Sequence, residues 1–159
     1  MIKIGDTLPD IPLYTLKGST IKKVGLSSLI KGKKVILFAV PGAFTPTCSK
    51  IHLPSFVRQA DALKAKGIDE IFCIAVNDPY VLDVWGKVAH AIGKITLLSD
   101  GRGEFTKAMG LVLDNLPLLG LRSKRYVAIV ENGIVTSLQV ESDATKCTIT
   151  CAEDIIKNL

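Results

Sequence analysis

Residues 35–48 read VILFAVPGAFTPTC, and this stretch organises both the fold and the chemistry of the chain. Residues 35–40 are apolar without interruption, which predicts a strand covered on both faces of a sheet. A Pro-Gly loop follows. Thr45 and Pro46 are then residue types preferred at the N-cap and at the first position of a helix. Counted from that cap, Cys48 is the third residue of the helix.

The rest of the chain alternates between strand and helix patterns. Apolar runs predict four further strands, at 70–76, 95–98, 126–131 and 134–140. Asn132-Gly133 predicts a tight turn between the last two. Helical spacing predicts three helices, from about 45 to 67, from 78 or 79 to 89, and over 151–158. This order predicts an α/β domain with a central mixed β-sheet flanked by helices, and it is typical of a thioredoxin-like fold.

Length and composition limit the class of protein. The 159 residues, 48% hydrophobic and 22% charged, predict one domain that spans 1–159. No apolar run approaches the roughly 20 residues of a membrane-spanning helix, and no secretory signal pattern is present. We therefore expect a soluble, cytoplasmic protein without a membrane partner. Its four scattered cysteines are too few for a secreted disulfide framework, which leaves catalytic, metal-binding or inert core thiols.

The net charge of +5 is expected to reflect solvated basic surface. A nucleic-acid-binding module is the weakest reading, because no such motif is present and only 6% of residues are aromatic. We therefore expect no nucleic-acid partner. A basic rim would also suit an anionic small thiol.

Cys48 is the predicted nucleophile. In the first turn of a helix its sulfur would lie beside unpaired backbone N–H groups and the positive end of the helix dipole, which favour the reactive thiolate. The Thr45 hydroxyl is expected to accept a hydrogen bond from the Cys48 backbone N–H and to offer its proton beside the sulfur. Donors placed there would stabilise the charge that develops on a peroxide oxygen. The alternative is a small buried core cysteine at a helix start.

Pro41, Thr45 and Cys48 fill a pattern of proline, three residues, threonine, two residues and cysteine, which resembles the peroxiredoxin signature. The segment FTPTCS at 44–49, with His52 and Pro54 after it, more closely resembles the type II, or atypical, peroxiredoxins. The likeness continues in later blocks, which read VNDPY at 76–80, WGK at 85–87, SDG at 99–101 and GLRSKRY at 120–126. It thus covers nearly the whole chain.

The resemblance implies a thioredoxin-like fold and a thiol peroxidase that reduces hydrogen peroxide and alkyl hydroperoxides, with peroxynitrite as a further candidate. Cys48 would be the peroxidatic cysteine and would become a sulfenic acid. Thr45 would bond the peroxide and the thiolate, and Pro41 would shield the sulfenate. Arg125 matches the family's active-site arginine, with Arg122 as its nearest competitor. No cofactor is implied; the reductant would be glutathione, glutaredoxin or thioredoxin, and the enzyme a homodimer formed near the active-site loop.

Three cysteines could resolve the sulfenic acid. Cys73 lies in the apolar run at 70–76, either as an inert strand residue or as the resolving cysteine of a block that resembles one branch of type II enzymes. Cys147 and Cys151 lie near the region where other members carry theirs, although Ile149 falls at the matching position. We do not expect these two to bond to each other, because four extended residues span about 13 Å, beyond the roughly 7 Å limit for a disulfide. Without a resolving thiol, glutathione and glutaredoxin would act directly.

Other uses of these residues stay open or are disfavoured. The chain has no Cys-x-x-Cys pair, and neither His52 nor His90 has zinc spacing, so we expect no metal. Thr45 stands where a thioredoxin-type oxidoreductase needs a cysteine. His52, four residues after Cys48, is either a packing residue or one that holds the active-site loop or the charge near the thiolate. A peroxide sensor that oxidises a partner protein would use the same Cys48.

Overall fold

The structure, a computed structural model, describes residues 1–159. Nine strands are present: β1 Leu13–Lys17, β2 Thr20–Val24, β3 Lys34–Val40, β4 Glu70–Ala75, β5 Thr96–Ser99, β6 Val112–Leu113, β7 Arg122–Ser123, β8 Tyr126–Glu131 and β9 Ile134–Val140. Five α-helices are present: α1 Leu26–Ile30, α2 Leu53–Ala65, α3 Pro79–Val88, α4 Glu104–Met109 and α5 Ala152–Ile156. A π-helical turn, Cys48–His52, runs directly into α2. None of the helices is both long enough and apolar enough to cross a membrane.

Seven strands form one mixed sheet in the order β2-β1-β5-β4-β3-β8-β9, and β6 pairs with β7 separately. Strand β3 runs parallel to β4, and β4 runs parallel to β5, whereas β8 is antiparallel to β3. The strand of the quoted stretch is therefore central, and every residue after Lys34 in it is buried. The predicted mixed sheet is confirmed, and the unbroken apolar run of β3 reflects the cover on both of its faces.

Alternate residues of β3 point to opposite faces and divide the core in two. Phe38 lies in the core on the α2, α3 and α5 side, where it stacks on Phe56 with ring centroids 4.1 Å apart. Leu37 lies in the core on the α1 and α4 side. Cys48 and Cys73 both belong to the first core, so the predicted nucleophile is set into the α2 side of the sheet.

The predicted element boundaries agree with the structure where turn residues mark them. Asn132 and Gly133 have φ angles of 48° and 81°, as a type I′ turn between β8 and β9 requires. Gly67 has a φ of 98° and ends α2, with Ile68 N donating to Leu63 O at 3.2 Å as in a Schellman motif. The last helix is shorter than the predicted 151–158. The β1–β2 hairpin is not among the predicted elements: β2 is exposed along most of its length and gives no apolar run, and only the two-residue loop Gly18-Ser19 marks the turn.

Candidate active site

The first helical turn places Cys48 just beyond the buried end of β3. Helical residues begin at Pro46, and Ser49 N donates to Thr45 O at 3.0 Å, so the backbone makes Thr45 the N-cap and Cys48 the third helical residue, as predicted. From Cys48 the turn is π-helical, with Leu53 N donating to Cys48 O. Such turns are rare and often occur at functional sites. The nucleophile predicted from sequence therefore starts an irregular turn inside the core.

Arg125 is the group that contacts the Cys48 sulfur. Its Nη2 donates to Cys48 Sγ at 3.1 Å, its Nη1 donates to His52 Nδ1 at 3.0 Å, and its Nε donates to Ala144 O at 3.1 Å. The side chain is buried, and no Asp or Glu forms an ion pair with it. A guanidinium stays charged in proteins, and a buried charge needs a partner. Among its three acceptors, only the sulfur of Cys48 belongs to a group that can carry a negative charge.

His52 holds this arginine in place. Arginine can only donate, so Nδ1 of His52 accepts and Nε2 carries the proton, which it donates to Thr150 O at 3.0 Å. Burial, and then the charge of Arg125, lower the pKa of His52 to about 3. The ring is therefore neutral at physiological pH and joins the guanidinium to the chain at Thr150. Of the two roles left open by the sequence, the geometry favours positioning.

The Thr45 hydroxyl does not cap the Cys48 backbone N–H, so that prediction is wrong. It donates instead to Gly42 O at 2.6 Å. The cause is the turn through Phe44, whose φ of 63° folds the chain back and also brings Thr45 N to 3.4 Å from Gly42 O. Because its proton is engaged, the Thr45 oxygen has lone pairs to accept a hydrogen bond from a peroxide O–H. Pro41, the predicted shield, is buried in the same loop.

Two further side chains hold the loop that precedes Cys48. Asn77 Oδ1 accepts a hydrogen bond from Ala43 N at 2.9 Å. Arg122 Nη1 donates to Val76 O at 3.1 Å and lies so close to Gly42 that an added Cβ there would be 3.1 Å away. Arg122 makes no hydrogen bond to Cys48, so it is Arg125 and not its competitor that donates to the sulfur. Asn77 belongs to the quoted 76–80 block, but its role could not be assigned from the sequence.

Access to the two core thiols is closed in this conformation. Cys48 has 0% of its surface exposed and Cys73 has 1%. Cys73 lies in β4, paired in register with Phe38 of β3, and burial, followed by the negative charge of Cys48, raises the pKa of its thiol. Because Cys48 has no exposed surface, a peroxide reaches its sulfur only when the residues around it move. A second thiol needs a larger opening.

Cys147 and Cys151 are bonded to each other, which contradicts the prediction that they would not pair. Their Cα atoms are 5.9 Å apart, far less than the spacing of an extended segment. The segment curls because Glu141 Oε1 accepts hydrogen bonds from the backbone N–H groups of residues 148–150, at 2.7, 2.8 and 3.1 Å. Burial raises the pKa of Glu141, but these bonds and those from the Thr148 and Thr150 hydroxyls outweigh it and lower the pKa. A buried acid directly after β9 is the signal that could have indicated this turn.

The chain is similar to known proteins along almost its whole length. The Redoxin family matches residues 3–156. The chain is 49% identical to chloroplastic Peroxiredoxin-2E of Arabidopsis thaliana over 163 residues, covering 99% of this chain and 69% of that protein. It is 45% identical to Peroxiredoxin-2C of the same plant, covering 99% and 98%. Reduced Prx3 from Vibrio vulnificus, solved in complex with H2O2, has a TM-score of 0.94 and 46% identity, covering 99% of this chain and 96% of that one. The predicted thioredoxin-like fold is confirmed.

Proposed function

This chain belongs to the redoxin family and is a type II peroxiredoxin, a thiol peroxidase, and we propose that it reduces hydrogen peroxide and alkyl hydroperoxides through the Cys48 thiolate. The observation that carries the proposal is the 3.1 Å hydrogen bond from Arg125 Nη2 to Cys48 Sγ, between two buried side chains. A buried guanidinium favours a negative charge beside it, and the thiolate is the form of cysteine that attacks.

The proposed reaction transfers one oxygen to sulfur. The Cys48 thiolate attacks one peroxide oxygen, an S–O bond forms and the O–O bond breaks. The second oxygen leaves with the bonding electron pair and takes a proton, which yields Cys48 sulfenic acid and water or an alcohol. A guanidinium has five N–H bonds, of which three are used within the protein, so two are available to the leaving oxygen. Thr45 would orient the peroxide as an acceptor, and Pro41 would shield the sulfenate.

The choice of substrate has two supports. The 46%-identical Prx3 of Vibrio vulnificus was solved with H2O2, which favours hydrogen peroxide. The closed surroundings of Cys48 favour small or slender hydroperoxides over bulky ones. Peroxynitrite is a further candidate because it also offers a small, weak O–O bond.

Recycling of the sulfenic acid would use thiols. One thiol displaces water and forms a disulfide, and a second thiol releases Cys48 by exchange. Cys73, Cys147 and Cys151 are the candidates within the chain. We propose glutaredoxin or thioredoxin, with glutathione, as the outside source of electrons, and the cytoplasm as a compartment that supplies these thiols.

A homodimer is proposed for the surface around the active-site loop. Four exposed apolar side chains lie on the loop, the π-helical turn and α3: Phe44, Ile51, Tyr80 and Val84. These elements adjoin one another, since Asn77 Oδ1 accepts from Ala43 N at 2.9 Å and Trp85 Nε1 donates to Ser49 Oγ at 3.0 Å. Exposed apolar side chains on adjoining elements often mark an interface. Sedimentation velocity should show a dimer in the purified protein and a monomer after Phe44→Glu. A wild-type monomer at all concentrations would reject this surface as an interface.

The function is tested by coupled turnover. Reduced protein should consume H2O2 in step with added dithiol or with glutaredoxin or thioredoxin, and Cys48→Ser should abolish turnover. A wild-type rate no faster than that of free cysteine would reject the peroxidase. If turnover appeared only when a partner protein was added and oxidised, the chain would be a peroxide sensor that relays oxidation.

A further inference from the structure

We propose that Cys147 and Cys151 form a second redox centre, which takes over the oxidation of Cys48 and presents it to the outside reductant as a surface disulfide. The proposal rests on the proposed peroxidase function of Cys48. Its basis is the bond between these two cysteines together with the place of the segment that carries them. We refer to residues 144–151 as the disulfide loop.

The disulfide loop is attached to the residues that surround Cys48. Ala144 O accepts a hydrogen bond from Arg125 Nε at 3.1 Å. Thr145 O accepts one from the hydroxyl of Thr47, the neighbour of Cys48, at 2.6 Å. At its other end, Thr150 O accepts one from His52 Nε2 at 3.0 Å. Cys147 therefore lies between hydrogen bonds that tie the disulfide loop to Thr47, beside Cys48, and to Arg125 and His52.

Accessibility distinguishes the loop cysteines from the core cysteines. Cys147 is partly exposed, whereas Cys48 and Cys73 lie fully inside the core. Thiol–disulfide exchange requires a sulfur that the attacking thiol can reach. A reductant protein can approach Cys147 without opening the sheet. In a reducing compartment, a disulfide of this kind is expected to be transient and catalytic.

Cys73 is the competing resolving thiol, and its surroundings oppose the role. It lies in the middle of β4, with neighbouring strands β3 and β5 on both sides. Its approach to an exposed Cys48 would break the central sheet, and burial raises the pKa of its thiol. Detachment of the disulfide loop breaks the hydrogen bonds from Arg125, Thr47 and His52 to the loop carbonyls but leaves the central sheet intact. The relay requires the π-helical turn to open so that the Cys48 sulfur can meet that of Cys147.

The proposed exchange has three balanced steps. The Cys147 thiol attacks Cys48 sulfenic acid, which forms a Cys48–Cys147 disulfide and releases water. The Cys151 thiol then attacks the Cys147 sulfur, which forms the Cys147–Cys151 disulfide and returns Cys48 as a thiol. Finally, an outside dithiol reduces the loop disulfide with two electrons and two protons. One peroxide thus oxidises one dithiol.

Peptide mass spectrometry after a single oxidation tests the relay. Full-length protein is reduced, freed of reductant, treated with one equivalent of H2O2 and alkylated. We expect the Cys147–Cys151 disulfide to form in the wild type and equally in Cys73→Ser. In Cys48→Ser its formation should be at least ~100-fold slower, because an unactivated thiol reacts slowly with peroxide. In Cys151→Ser the Cys48–Cys147 disulfide should accumulate.

Two results would overturn the relay. The loop disulfide could form as fast in Cys48→Ser as in the wild type, which would make it independent of Cys48. Alternatively, the wild type could consume its peroxide while Cys147 and Cys151 remain alkylated thiols. Either result leaves the peroxidase intact, whereas failure of the wild type to consume peroxide would reject the proposed function itself. The comparison of the wild type with Cys48→Ser holds even if the Cys151→Ser variant is unstable.

Discussion

The substitution Arg125→Lys tests the geometry at the sulfur most severely, because it keeps the charge and removes the planar fork. Arg125 reaches Cys48 Sγ, His52 Nδ1 and Ala144 O through three different nitrogens. A lysine ammonium is a single donor centre on a flexible stem and cannot reproduce this arrangement. We therefore expect that, in Arg125→Lys, no hydrogen-bond donor is held in place beside the peroxide oxygen that departs.

The size of the effect follows from that lost donor. Removal of one preorganised donor to a developing oxyanion typically lowers the rate ~100- to 1000-fold, or about 3–4 kcal/mol of transition-state stabilisation. We expect the second-order rate constant for oxidation of Cys48 to fall in this range. Thermal stability should fall as well, since two buried acceptors lose their donor.

A stopped-flow fluorescence assay can measure this rate. Trp85 is the only tryptophan, and its Nε1 donates to Ser49 Oγ at 3.0 Å, next to Cys48. Its emission should therefore report oxidation of Cys48 in a single turnover. Arg58→Lys is the matched control, since Arg58 forms an exposed ion pair with Glu153 that is worth about 0–1 kcal/mol.

An Arg125→Lys rate within about threefold of the wild type would refute the proposed role of Arg125, because the loss of one oxyanion donor lowers the rate far more. It would equally fail if Arg122→Lys lowered the rate as much. In that case the arginine beside the loop, and not the one that contacts the sulfur, would govern the reaction.

Three further predictions concern His52 and Glu141. The pKa of His52 is lowered from 6.5 to about 3, so between these values the unfolded chain binds a proton that the folded chain does not, and stability is lost as pH falls below 6.5. Urea unfolding should show that His52 lowers the free energy of unfolding by ~2 kcal/mol at pH 5. The loss should be absent in His52→Phe and retained in the control His90→Asn, because His90 is exposed. His52→Phe should also slow Cys48 oxidation at pH 7, whereas a rate equal to the wild type would deny it a positioning role. Glu141→Gln should lower the free energy of unfolding by ~1.5–3 kcal/mol, because the amide loses the charge that strengthens the bonds to Oε1 and the oxygen that accepts from the Thr148 hydroxyl. An unchanged urea midpoint would show that the carboxylate does not hold the disulfide loop.

The central sheet could be predicted because its strands are marked by patterns that local chemistry creates. A strand covered on both faces reads as an unbroken apolar run, and the turn at Asn132-Gly133 needs positive φ angles. The β1–β2 hairpin is marked only by its loop, Gly18-Ser19, because its second strand faces solvent and pairs only with β1. Its place in the sheet depends on β5, whose free edge pairs with β1, and the sequence of the hairpin alone does not predict that pairing.

The site, too, has features that neighbouring residues predict and features that depend on distant ones. The backbone position of Cys48 follows from Thr45 and Pro46, which are adjacent in sequence and shape the helix start. The Thr45 hydroxyl was assigned to the wrong partner because the left-handed turn at Phe44, which brings Gly42 O within reach, has no sequence mark. The loop disulfide was missed because a distant carboxylate, Glu141, curls a segment that its own residues would leave extended.

The rate at which Cys48 itself is oxidised is the most direct measure of its role as the nucleophile. Reduced protein can be mixed with one equivalent of H2O2 in the presence of a sulfenic-acid trap and stopped at increasing times for peptide mass spectrometry. We predict that the trap labels Cys48 first, at least ~1000-fold faster than it labels free cysteine treated in the same way. Labelling of another cysteine first, or of Cys48 at the rate of free cysteine, would contradict the account.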